Sequence, residues 1–133
     1  MPTDTPEARA LVLSAIVPGG TNRYIALFLG NPLDGGVELV LTGYARVAHQ
    51  LWTTTDFGGN SIRANTTDIV FPNITQAGSA DYWAIYDAAV AGVLLRRGLL
   101  LNALLLPNAL VFGGGGDQVR FFAGTLRIKA TEV

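Results

Sequence analysis

The sequence predicts a mainly β fold, an antiparallel β-sandwich or small barrel with one N-terminal helix. Three observations carry this. Short β-prone runs recur along residues 21–133, each closed by Gly, Pro or Asn. Only one stretch, near the N-terminus, has both helix start and helix stop signals. After Gly20 there is no alternation of strand and helix of the kind that builds a parallel sheet. With 133 residues and no cysteine, the chain suits one domain with a core built without disulfides or metals. The expected organisation is a helical arm at residues 1–20 and a single β-sandwich domain at residues 21–133.

The helix is read from DTPEARALVLSAIVPGG. Thr5 can cap it, Pro6 suits its first position, Glu7 favours the positive end of its dipole, and Pro18-Gly19-Gly20 stops it. Leu11, Ala15 and Ile16 are expected near one face, with Leu11 and Ile16 docking the helix on the sheet or on a neighbour. RYIALFLG is a strongly β-prone run ended by Gly30-Asn31-Pro32. VELVLTGYARVAHQLWTT reads as two strands or one long bent strand. DFGGNSIRANTTD reads as a loop. DIVFPNIT is a short strand that Pro72 stops. DYWAIYDA alternates Tyr82, Ala84 and Tyr86 against Trp83, Ile85 and Asp87. GVLLRRGLL, NALLLP and NALVFG are three further short candidates. In the closing segment Val119 and Phe121 share one face. Leu126 and Ile128 share another after Ala123-Gly124.

Half of the residues are hydrophobic and only 14% are charged, against about a quarter in an average domain. Such a deficit fits a surface partly buried against partners, and the expectation is a homo-oligomer, with a trimer as one candidate. The leucine-rich run carries the same implication, because apolar runs without alternation are buried on both faces. Leu99, Leu100, Leu101, Leu104, Leu105 and Leu106 are therefore candidates for core and subunit contacts, and Trp52 and Trp83 for core or interface pillars. The net charge is −1 and the basic residues are scattered except for Arg96-Arg97. No basic stripe matches phosphate, so no nucleic-acid partner is expected. The N-terminus carries acids where a secretory signal needs positive charge. The stretch from Gly98 to Phe112 is too short and too interrupted, by Asn102, Pro107 and Asn108, for a membrane span.

No catalytic constellation emerges. GGGGD at Gly113–Asp117 lacks the Lys-Ser/Thr of a phosphate loop and puts an acid in its place. His49 is the only histidine and no Gly-x-Ser-x-Gly elbow accompanies it. The carboxylates sit mostly in apparent turns, where Asp caps its own backbone. No spacing suggests a glycosidase pair or a calcium loop. The segments beside Trp52 and Trp83 could form a sugar-binding surface, but core or interface roles fit better. The expectation is a non-enzyme with no cofactor and no metal.

The order of several segments resembles a family of small tailed-phage virion proteins, often labelled tail-fibre proteins, some of which look like head-decoration components. The resemblance rests on RYIALFLGNPLDGG, GYARVAHQLW, IVFPNIT, DYWAIYDAAVAGVLLRRGLL and GDQVRFFAGTLRI, in that order. The run LNALLLPNALVFGGGG is more leucine-rich than the family pattern. The resemblance implies a structural protein located in the virion, on the capsid surface or the tail, and made in the host cytoplasm. The leading expectation is a capsid decoration, or cement, protein that stabilises the shell against the major capsid protein. The alternative is a tail-fibre or baseplate component that contacts the host, with tail components as partners. A third, weaker alternative is a small cell-wall glycan hydrolase.

Overall fold

The structure is a computed structural model that describes residues 6–57, 60–100 and 108–131. In chain order its elements are α1 (Pro6–Ile16), β1 (Arg23–Leu29), β2 (Val37–Glu38), β3 (Val47–His49), β4 (Trp52–Phe57), β5 (Asn60–Asn65) and β6 (Ile69–Val70). There follow β7 (Ala77–Ala80), β8 (Tyr82–Tyr86), β9 (Leu94–Leu99), β10 (Leu110–Gly113), β11 (Arg120–Phe121) and β12 (Arg127–Thr131). The fold is mainly β and antiparallel, with one N-terminal helix, as expected; the strands form several sheets rather than a closed barrel. The described parts of the chain divide into two compact units. One draws on Met1–Asn22, His49–Ile69 and Phe121–Val133, the other on Arg23–Ala48 and Val70–Arg120.

The first unit is a three-stranded antiparallel sheet, in the order β12-β5-β4, with α1 packed on it. Leu13 of α1 and Val17, one turn on and just past the helix end, are fully buried, as is Leu126 just before β12, and Ile128 of β12 is buried too. The face turned to this sheet is therefore not the one that carries Leu11. Leu11 is 72% exposed and Ala15 is exposed too, while Ile16 is half-buried. The run from Ala10 to Val17 is apolar on nearly every side, so periodicity could not select the docking face.

The segment expected to be a loop, DFGGNSIRANTTD, contains β5, the central strand of that sheet. Its register is unbroken on both sides, from Trp52↔Asn65 to Phe57↔Asn60 and from Arg127↔Ala64 to Thr131↔Asn60. The loop reading failed because the usual pattern is inverted here. Ser61, Arg63 and Asn65 point inward and are buried, while Ile62 and Ala64 are only half-buried. A strand with polar residues on its buried face is stable only when each finds partners, and each does.

In the second unit the sheet runs β2-β1-β8-β9. Strand β1 pairs with β8 from Tyr24↔Tyr86 to Phe28↔Tyr82, and β8 pairs with β9 through an irregularity between Ile85 and Tyr86. Ile25, Ala26, Leu27 and Phe28 are all buried, so β1 is covered on both faces. Ile25, Leu27 and Ile85 lie on one face. On the other, Ala26, Phe28 and Ala84 form a cluster against Tyr82, Tyr86 and Leu94, with the Phe28 and Tyr86 rings stacked at 6.2 Å. Strands β10 and β7 form a separate ladder, and Phe71, Ile74 and Val119 are buried nearby in sequence order around it. GVLLRRGLL and NALVFG are strands as expected; NALLLP lies outside the described residues.

Candidate functional site

Strand β2 presents Glu38 beside β1, and the segment after Leu41 turns back so that Tyr44 and Arg46 reach it. The Arg46 guanidinium donates to both Glu38 oxygens, Nε to Oε2 at 2.9 Å and Nη2 to Oε1 at 2.8 Å. Its Nη1 donates to the carbonyls of Ala88 at 2.9 Å and Ala91 at 2.7 Å. Its plane lies over the Tyr86 ring, 3.9 Å from the centroid. The Arg46 side chain is only 8% exposed. The Tyr44 hydroxyl donates to Glu38 Oε2 at 2.6 Å and accepts from the Leu27 amide at 3.0 Å.

The electrostatics follow from this geometry. Burial alone would raise the Glu38 carboxyl, but hydrogen bonds from Arg46 and Tyr44 and the Arg46 charge hold it below its usual value. Burial, reinforced by the Glu38 carboxylate, pushes the Tyr44 phenol far above its ordinary range. The Glu38 bonds raise Arg46 against an opposing desolvation. Both Glu38 oxygens and the Tyr44 hydroxyl are thus engaged, and the cluster is fixed in one charge state near neutral pH. What it can do is hold backbone in place.

The polar groups of the first unit do the same. Arg63 Nε donates to the Val17 carbonyl just past the end of α1 at 2.7 Å, and Nη1 to Thr54 Oγ1 at 3.0 Å. A cation at the helix C-terminus is favoured by its exposed carbonyls. Asn65 Nδ2 donates to the Thr67 carbonyl at 2.8 Å and the Phe122 carbonyl at 3.1 Å, and Oδ1 accepts from the Leu126 amide at 3.0 Å. Ser61 donates to Asp56 across the β4–β5 pair. His49, buried, has Nε2 at 2.9 Å from the Leu51 carbonyl and its ring edge-on to Trp52. Burial lowers its pKa against that hydrogen bond, so it stays neutral and packed.

Several carboxylates accept backbone amides. Asp81 takes Gly30, Asp87 takes Val93, Asp117 takes Gly113 and Asp68 takes Ala123. The expectation that turn acids cap backbone holds for Asp87 and Asp117. Asp81 and Asp68 instead reach across 51 and 55 residues of chain. Among the described residues no group of three or more His, Cys, Asp or Glu is placed to hold a metal ion. No helix among them is long and apolar enough to cross a membrane.

The interface and core candidates scatter. Trp52 and Leu100 are buried, Trp83 and Ile16 are half-buried, and Leu11 and Leu99 are exposed. Leu101, Leu104, Leu105 and Leu106 lie outside the described residues. Exposed apolar side chains also occur where sequence reasoning did not look. Leu29 and Val37 are direct cross-strand partners and both exposed, Leu33 sits in the turn between them, and Val90 and Val93 stand on the β8–β9 connection. The Arg46, Arg63 and Asn65 clusters were missed as well. Their only sequence signal is polar residues placed at alternate positions within β-prone segments.

The sequence model of the family described as Podophage GP4 fiber I protein gp80 matches residues 11–129. A search of curated proteins found no match. The match takes in both units and nearly every element described above. The family is one of tailed-phage structural proteins, which gives the chain a virion location, and the chain belongs to the Podophage GP4 fiber I protein gp80 family.

Proposed function

We propose that this chain is a structural, non-enzymatic component of a podophage tail fibre, built into the particle as a homo-oligomer beside other tail proteins. The observation that carries the reading is the fibre-family match over residues 11–129. It shifts the weight from capsid decoration, the leading expectation from the sequence, to the fibre alternative. The structure supports a scaffold role in two further ways. The Arg46–Glu38–Tyr44 cluster and Asn65 are engaged with backbone and, in the cluster, with each other. Its exposed apolar side chains, among them Leu11, Leu29, Leu33 and Val37, offer area for subunit contacts.

The mechanism is mechanical and thermodynamic. A module with fixed internal geometry transmits load without unfolding, and repeated copies add their contacts to the stability of the assembly. The test is gradient-purified particles separated into heads and tails, with this chain quantified in each fraction. A small, fixed copy number on tails is expected. Many copies on heads would overturn the fibre reading in favour of capsid decoration. Absence from both fractions would remove the structural role and reopen the cell-wall hydrolase.

A further inference from the structure

The sheet of the first unit ends on one side at β4. Its order is β12-β5-β4, and no strand among the described residues pairs with the far side of β4. Which backbone groups face that side follows from β5. The Asn65 amide donates to the Leu126 carbonyl at 3.4 Å, and the Asn65 carbonyl accepts from the Gly124 amide at 2.7 Å, so both turn away from β4. Successive pairs of an antiparallel ladder alternate between bonded and non-bonded. Trp52, opposite Asn65, and then Thr54 and Asp56 therefore turn their amides and carbonyls outward. These groups have no hydrogen-bond partner among the described residues.

An open edge invites another strand, and proteins ordinarily blunt it with short strands, Lys, Pro or bulges. Other edges of this chain follow that rule. Strand β2 has two residues, and β7 and β10 have four each. Strand β9 carries Arg96 and Arg97 and pairs through an irregular register. Strand β12 carries Arg127 and Lys129. Strand β4 has none of these devices. It is six residues long, Trp-Thr-Thr-Thr-Asp-Phe, without Pro, Lys or Arg, and its register with β5 is unbroken. Thr53, Thr55 and Asp56 are exposed along it.

This edge is complementary to itself. Laid antiparallel on a second copy and centred on Thr54, it sets Thr54 against Thr54, Thr53 against Thr55 and Trp52 against Asp56. The outward amides and carbonyls then meet one another. Thr–Thr pairs are favourable across strands and like charges are not; here no like charges meet. The Trp52 indole N–H is buried without a hydrogen-bond partner, and its residue lies directly opposite the carboxylate of the second copy. The two-fold closes the pair. At the outer edges of the joined sheet, Arg127 and Lys129 guard both copies of β12.

We propose that two copies of this chain join antiparallel through β4, with Thr54 on the two-fold axis, into one continuous sheet. This contact builds the homo-oligomer of the functional reading above and rests on that oligomer, not on a tail or head location. It is tested on the full chain by sedimentation over a range of concentrations, for wild type, Thr53→Lys/Thr55→Lys and Thr53→Lys/Thr55→Glu. Wild type should be a dimer. The first variant sets two lysines together at each Thr53–Thr55 pair, and the dimer should weaken about tenfold. The second sets lysine against glutamate at each pair, and the dimer should recover. Thermal melts report whether the variants fold.

A second measurement does not depend on those variants. The chain has no cysteine. A mixture of Thr53→Cys and Thr55→Cys chains should form a disulfide-linked pair on mild oxidation, because such directly opposed, non-bonded positions hold their Cα atoms about 4.5 Å apart. Either chain alone should stay reduced. A monomer at every concentration would overturn the proposal. So would an oligomer indifferent to the charge pairs, or a cysteine mixture that links no better than its components. Counting the chain in head and tail fractions tests the fibre reading separately. An oligomer held by another face leaves that reading standing without this contact, and a β4 dimer found on heads leaves this contact standing without the fibre.

Discussion

The indole of Trp83 fills the space that a side chain at position 98 would need. Gly98 is its direct partner on the neighbouring strand, and a Cβ there would stand 2.5 Å from Cζ2 and 2.7 Å from Nε1 of Trp83. A glycine inside a strand normally weakens it, and an aromatic cross-strand neighbour can cover the bare backbone it leaves. Trp83 is half-buried in this position.

Gly98→Val should therefore destabilise the chain even though valine is the better strand former. The indole must leave its place, and overpacking of this kind costs about 1–3 kcal/mol. Urea unfolding measures the loss. In a Trp52→Phe background the fluorescence of Trp83 should shift to the red as the ring is pushed into water. A Gly98→Val chain with wild-type stability and an unshifted spectrum would contradict the contact.

Asn65 is 2% exposed and ties the β11–β12 connection to β5 through both ends of its amide. Asn65→Ala leaves the Thr67 and Phe122 carbonyls and the Leu126 amide without that partner, with an expected loss of about 3 kcal/mol. Asn65→Asp should be worse at neutral pH than in acid, because the carboxylate would face the carbonyls that Nδ2 now serves. Chemical denaturation of both variants at two pH values checks this. Equal losses would mean that the side chain acts only as filler.

Much of the fold was legible because its strands obey local chemistry. RYIALFLG ends where Gly-Asn-Pro forbids continuation, DYWAIYDA alternates as β8 does, and Asp87 and Gly92 lie in the connection between two apolar strands, with Asp87 bonded to Val93. Strand β5 was not legible because Ser61, Arg63 and Asn65 invert the pattern, and they are tolerated inside only through partners as far away as Val17 and Leu126. The helix was legible but its face was not, since Leu11 and Leu13 look alike until the sheet beneath chooses one. Strand β1 also has a second buried face. Within the second unit it carries the Phe28–Tyr86 stack, with Arg46 over Tyr86, and Arg46 joins residues 8 and 42 positions apart from it. No local pattern encodes such reach.

The Glu38–Arg46 pair gives stability a definite dependence on pH. Glu38 has a folded pKa below its ordinary value of 4.5. Its contribution is therefore fully present above 4.5 and is lost as the pH falls through the lower folded value. Glu38→Gln removes that contribution at every pH, so the variant should be less stable than wild type at neutral pH and converge with it in acid. Thermal melts at steps from pH 7 to about 3 read the difference. Parallel curves for the two proteins would show that the pair adds nothing to folding.

Gly43 sits at φ 89°, in the turn closed by the Tyr44 amide on the Leu41 carbonyl. A Cβ added there would overlap the backbone carbonyl oxygen of Asn73. Backbone cannot swing aside as a side-chain tip can, and the neighbouring Thr75 amide is fixed to the Thr42 carbonyl at 2.9 Å. Gly43→Ala thus combines left-handed strain with a clash, and about 3 kcal/mol or more is expected. The turn also delivers Tyr44 and Arg46 to Glu38, so the damage should spread to residues 88–91. Hydrogen exchange at Ala88–Ala91 in Gly43→Ala tests that link: faster exchange is expected there, and unaltered exchange in a destabilised chain would show that the Arg46 contacts to Glu38, Ala88 and Ala91 form independently of the turn.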